Sequence, residues 1–320
     1  MSASVHRAKV PDASRMSHRQ AVALMICVTL MWSIAGIVTR HLESARGFEV
    51  TFWRSLFNAL ALVLLLGAMQ GPARLWRTLR GGGGPLWVSG WCWCVMYTAF
   101  MLAITLTTVA NVLVTMALAP LFTALAARLA LGHKLALRTW AAIVVAGAGI
   151  GWMYGSELSA AEPRHLLGTA VALCVPIAAA VNWTLLQHLY RRPEAGPPPD
   201  MLAPVLLGAL LSAAVALPLA WPFGASAHDL RLLGLLGVLQ LAIPCLLAVR
   251  VARVLSAPEV SLLGLLEVVF GVLWVWLGTD EAPSLAVLGG GALVLGALAA
   301  NEALALRRFG PNSWQRGAGG

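Results

Sequence analysis

Apolar residues run along this chain in blocks of about twenty, separated by short clusters of charges, prolines and glycines. An α-helix rises about 1.5 Å per residue, so a block of that length spans the roughly 30 Å hydrocarbon core of a bilayer. Cutting the blocks at charges, Pro and Gly predicts ten helices, over 21–39, 50–69, 86–106, 110–131, 138–155, 167–189, 202–220, 232–249, 259–278 and 283–305. The blocks lack the two-residue alternation of a barrel strand. Backbone polar groups in lipid must also be satisfied within their own segment, which leaves the helix. The pattern therefore predicts an all-α membrane protein of ten transmembrane helices.

Composition agrees and narrows the class. Of 320 residues, 59% are hydrophobic and 11% are charged, against roughly 25% charged in a soluble domain. A net charge of +9 would suggest a nucleic-acid partner if the cations lined one soluble face. Here they sit in short segments between apolar blocks, so no nucleic-acid partner is expected and the positive-inside rule accounts for them. The N-terminus, 70–85, 132–138, Arg191 with Arg192, Arg250 with Arg253, the C-terminus and Arg128 fall on one side and hold 17 of 22 cations. Arg40, Arg46, Arg164 and Arg231 fall on the other side, with Glu157, Glu162, Asp229, Asp280 and Glu281, while Arg54 lies within a helix. Both termini are accordingly expected in the cytoplasm, as tails over 1–20 and 306–320, for a multi-pass inner-membrane protein. The first apolar block leads to Arg40 and His41 rather than to an A-x-A site, so it reads as a retained helix rather than a cleaved leader. All five cysteines lie in apolar blocks, and Cys92 and Cys94 are too close for a CxxC motif. No disulfide, metal or redox site is expected.

An internal repeat organises the chain. TTVANVLVTMALAPLF, from Thr107 to Phe122, aligns with SAPEVSLLGLLEVVFG at an offset of 148, so that Val109 falls on Ala257, Leu118 on Leu266 and Phe122 on Phe270. Each segment forms the fourth helix of a five-helix half. Because five is odd, the second half enters the membrane from the opposite side, which is the inverted-repeat plan of many secondary transporters. The halves are 21–155 and 167–305, joined by an acidic loop around Glu157 to His165.

These segments resemble a known family, the EamA type of the drug/metabolite transporter superfamily, over nearly all of 22–305. LMWSIAGIVTRHL followed by FWRSLFNALALVLLL resembles the family's opening pair through Trp32, Ser33 and Arg54. The stretch from Tyr97 to LGHKL resembles the third and fourth helices, and GVLQLAIPCLLAVRVARVLSAPEVSLLGLLEVVFGVLWVWLGTDEAP resembles the eighth and ninth. The family's Glu-Pro pair is split here, with Ala119 before Pro120 in the first half and Glu267 before Val268 in the second. Its acidic residue after each fourth helix is Glu281 in one half and His133 in the other. The resemblance implies export of a small metabolite.

H-E-x-x-H, G-x-S-x-G and Walker-type motifs are absent, so the chain is not expected to be an enzyme and needs no cofactor. The run Gly81 to Gly84 reads as a flexible turn, and Gly67 with Gly71 and Gly147 with Gly151 have the spacing of close helix contacts. Such faces fit packing within one chain and between two copies alike, which leaves a homodimer open. Trp87, Trp140, Trp152 and Trp221 fall at predicted helix ends, as an interfacial belt requires.

An ionisable residue inside a membrane costs about 2.5–3.5 kcal/mol on insertion scales and so needs a reason. Arg54 lies about one turn from the outer face and could reach it, whereas Glu267 is about eight residues into its helix, too deep to do so. Asn111, Asn182 and Gln240 offer neutral hydrogen bonds, and Trp32, Trp183 and Trp274 lie deep. With Tyr97, these nine residues form the expected substrate pathway. The sequence thus predicts a secondary transporter working by alternating access, with a small-molecule solute and the lipid bilayer as its partners. A membrane-embedded enzyme and a non-transporting scaffold or sensor are the rival readings.

Overall fold

A computed structural model describes residues 16–131, ten positions between 137 and 152, 163–190, 200–278 and 284–308. Among these residues all regular structure is helical. The helices are α1 (His18–Ser33), α2 (Ala35–Arg40), α3 (Phe48–Gln70), α4 (Pro72–Gly81), α5 (Gly84–Leu106), α6 (Val109–Met116) and α7 (Ala119–Leu131). Then follow α8 (Pro163–Tyr190), α9 (Ala203–Ala220), α10 (Ala227–Leu235), a π-helical segment (Leu236–Ala242), α11 (Ile243–Val251), α12 (Ala257–Gly278) and α13 (Leu285–Arg308).

Eight helical stretches are long and apolar enough to cross a membrane, and they coincide with the first four predicted spans and with the sixth to ninth. Several begin two to five residues earlier than the apolar pattern suggests. Cutting at charges misplaced those ends, because a helix's first turn welcomes polar and acidic side chains that satisfy its free N–H groups. Ser17 and Ser226 cap α1 and α10 in this way, with Gln20 and Asp229 returning the bond to the cap. Half of the predicted span 138–155 falls outside the described residues, as do His133, Gly151 and Glu281.

The aligned fourth helices begin at matched residues, Val109 and Ala257, after Thr108 and Ser256. They then differ. The first breaks between Met116 and Ala119, whereas α12 is continuous. Pro120 explains this, since it cannot donate to the carbonyl four residues earlier and its ring crowds that turn. Val268, at the corresponding place beside Glu267, has its N–H and leaves the helix whole. Pro244 has a related effect, because Gln240 four residues before it lies in the π-helical turn.

Loop contacts separate two ends of the bundle. At one end His18 meets Glu259, Gln187 accepts from the Ala257 N–H, and Arg253 stacks on Tyr190. At the other, Arg40 donates to the Thr107 carbonyl and Arg164 to that of Thr105. Segments assigned to one side by charge therefore do meet in space. Helix α9 packs on α3 and α5, and α12 on α1 and α6, so the two sequence halves interleave. At the α5–α9 contact a Cβ on Gly208 would lie 2.9 Å from the Gly90 carbonyl oxygen, which only glycine tolerates. Gly67, by contrast, faces open space and Gly71 ends α3 at φ 81°, so that pair does not make the close contact its spacing suggested.

Candidate functional site

A cavity of about 120 Å³ lies within the bundle, walled by α1, α3, α5, α8, the π-helical segment, α11, α12 and the break between α6 and α7. Six of the nine expected pathway residues line it: Trp32, Arg54, Tyr97, Trp183, Gln240 and Glu267. Arg54 does not extend to the outer surface. It is 1% exposed, donates through Nε and Nη2 to Gln240 Oε1 at 3.3 and 2.8 Å, and through Nη1 to the Tyr97 carbonyl at 3.4 Å. Its guanidinium also lies 5.6 Å from the centre of the Phe100 ring, a cation–π contact. Gln240 Nε2 donates to the Trp32 carbonyl at 3.1 Å, so one amide links α1, α3 and the π-helical segment.

Glu267 approaches the same cavity from α12 and is 8% exposed. The ion pair found among the described residues joins His18 to Glu259, so Arg54 and Glu267 face one space without direct contact, though Arg54 is the cation within electrostatic range. Aromatic and sulfur-bearing side chains complete the wall. Trp93 meets Trp183 edge to face at 5.8 Å and Tyr97 at 5.6 Å, and Met25, Met96, Met116 and Cys245 fill between them. Trp93, Tyr97 and Phe100 recur at four- and three-residue spacing on α5. That aromatic stripe was the available signal for Trp93 and Phe100, which the sequence reading missed.

Three expected residues lie elsewhere. Asn182 accepts from Ser89 Oγ at 2.6 Å and thereby joins α8 to α5. Asn111 Nδ2 in α6 donates to Oγ1 of Thr107, the residue that ends α5, at 3.3 Å. Trp274 sits two turns beyond Glu267, 39% exposed, and donates to Ser33 Oγ at 3.1 Å. Each satisfies a polar group at a helix contact rather than facing the cavity.

Residues 19–155 match the EamA-like transporter family. The EamA match ends with the fifth predicted span, at residue 155, and its residues supply Trp32, Arg54 and Tyr97 to the cavity. A solved crystal structure shares the fold of this chain at a TM-score of 0.63 and 20% identity, covering 92% of this chain and 99% of the other. Comparison with curated proteins gives no match. The match of residues 19–155 to a transporter family, together with eight long apolar helices, indicates a multi-pass membrane protein.

Proposed function

We propose that the chain is a secondary transporter that exports a small metabolite across the bacterial inner membrane by alternating access. It would do so with ten helices in two inverted five-helix halves and both termini in the cytoplasm. The observation that carries this reading is the pair Arg54 and Glu267, one from each half, facing a single cavity without forming an ion pair. A buried charge is stable only when paired and hydrogen-bonded, and breaking such pairing costs several kcal/mol. Arg54 is satisfied by Gln240 and the Tyr97 carbonyl. Glu267 has no hydrogen bond among the described residues, so a proton or the cationic group of a solute is what completes it. In an inverted-repeat transporter such a site lies where the halves meet and access switches.

No histidine and no second carboxylate line the cavity among the described residues, which favours transport over hydrolysis. The direction, export, comes from the family resemblance. The test compares cells carrying wild type and Glu267→Gln at equal protein level. Gln keeps the shape and hydrogen bonding of Glu but cannot ionise, so insertion and yield should hold while export falls by more than about tenfold. Export at the wild-type rate would reduce Glu267 to helix packing and remove the basis of this reading.

A further inference from the structure

Helix α4 is amphipathic in a way the transport reading does not use. Its sequence is PARLWRTLRG, and at about 100° per residue Leu75 and Leu79 fall on one side while Arg74, Arg77 and Arg80 occupy an arc on the other. Leu75 is buried and Leu79 half-buried in the larger core cluster, and α4 rests on α3 and α9. All three arginines are exposed, and Arg77 Nε turns back to its own helix at the Ala73 carbonyl. None of them is in an ion pair among the described residues, and no Asp or Glu occurs between Glu49 and Glu157. Trp76, between the two faces, is 55% exposed and carries the Arg80 guanidinium 4.3 Å above its ring centre. Glycines bound the helix on both sides: Gly71 at φ 81° ends α3, and Gly82 to Gly84 lead into α5, whose first turn exposes Trp87.

We propose that α4 lies in the membrane–water interface and holds anionic phospholipid headgroups on Arg74, Arg77 and Arg80. This rests on the membrane placement proposed above but not on transport. Arginine forks match phosphate oxygens, and an apolar face pinned to the bundle beside an uncompensated basic face is the pattern of an interfacial helix. Trp76 decides for lipid over an acidic protein, because a half-exposed indole beside a basic row belongs at the headgroup level, where Trp87 also lies.

The full chain is purified from vesicles of phosphatidylcholine mixed with a one-third share of phosphatidylglycerol, and the lipids it retains are counted by native mass spectrometry. Wild type should retain phosphatidylglycerol preferentially. Each basic residue near a surface contributes about fivefold to partition, so Arg74→Gln with Arg77→Gln and Arg80→Gln should lower the preference by fivefold or more. The corresponding triple Lys variant, which keeps the charge, should hold most of it. An unchanged preference in the triple Gln variant overturns the proposal, and if that variant fails to fold, an unchanged preference in Arg77→Gln does the same. Retention that depends on the arginines in a chain that moves no solute would remove the transport reading alone. Export by a chain whose lipid retention ignores them would remove this proposal alone.

Discussion

Asp229 is fully buried at the end of the bundle opposite His18, and its carboxylate closes the loop between α2 and α3 against α10. Oδ1 accepts from the Glu43 N–H at 2.8 Å, and Oδ2 from those of Ser44 and Ala45 at 2.9 Å and of Ser226 at 3.2 Å. Asp229→Asn is isosteric but removes the charge and replaces one acceptor by a donor. In its better rotamer the amide oxygen takes the three N–H groups and the NH₂ opposes the fourth. Bonds to a charged group contribute about 1.5–3 kcal/mol and neutral ones about 0.5–1.5, so three bonds weaken by about 1 kcal/mol each and one buried N–H is orphaned at about 1–3 kcal/mol more. Neighbouring terms do not add fully, so we expect a loss of about 3–5 kcal/mol. Glu49→Gln is the control, since Glu49 Oε1 alone accepts from Gly224 and Ala225 at 2.8 Å, and Gln keeps that oxygen. Its cost should be about 1–2 kcal/mol. Thermal unfolding of the two variants in detergent, together with labelling of a cysteine at Ser44 by a membrane-impermeant maleimide, reads the effect. Asp229→Asn should melt several degrees below Glu49→Gln and label faster. Equal midpoints and equal labelling would refute the claim that charge at Asp229, rather than shape, holds the two halves together there.

Arg54→Lys keeps the charge but loses the fork that reaches Gln240 and the Tyr97 carbonyl together, so export should fall at least tenfold with yield largely kept. A variant that exports at wild-type rate and changes only which solutes it moves would show that Arg54 serves recognition rather than folding or gating. A reporter fused after Gly320 should be active only in its cytoplasm-dependent form, given where the cations lie. Activity of a periplasm-dependent fusion would reverse the proposed topology.

What could be read from the sequence follows from which physical constraint each feature obeys. The positions of eight long apolar helices were legible because about twenty consecutive apolar residues have one economical use. Helix α4 was not, since ten residues are too few for a span, its arginines read as loop charges, and the glycines after it suggested a turn. Arg54 and Glu267 stood out because ionised groups are costly in lipid. Polarity alone says that a side chain needs a partner and not on which side the partner lies, so the logic that points to Gln240, which lines the cavity, points equally to Asn111 and Asn182, which do not; depth alone likewise does not separate Trp274 from Trp32. The clamp at Asp229 was invisible for another reason: three of its four partners are backbone N–H groups almost two hundred residues away, and a backbone donor leaves no mark in a sequence.

Gln240 bears most directly on how such a cavity can change shape. Its amide ties α3 to α1 through two bonds from Arg54 and one to the Trp32 carbonyl, and it does so from a π-helical turn. A π-helical turn holds an extra residue and is less favourable than an α-helical one, so it is a place where a helix can reorganise at low cost. Any motion that carries this segment away from α3 must break two charge-assisted bonds of about 1.5–3 kcal/mol each. Arg54 cannot be left bare in that event, because the penalty for an uncompensated buried guanidinium exceeds the energy of the bonds lost. Glu267 is the anion within electrostatic range that can replace them. Under the proposed alternating access, an Arg54 handed from Gln240 to Glu267 would stay satisfied in both arrangements, and only the one described here would leave Glu267 open to a proton or a solute.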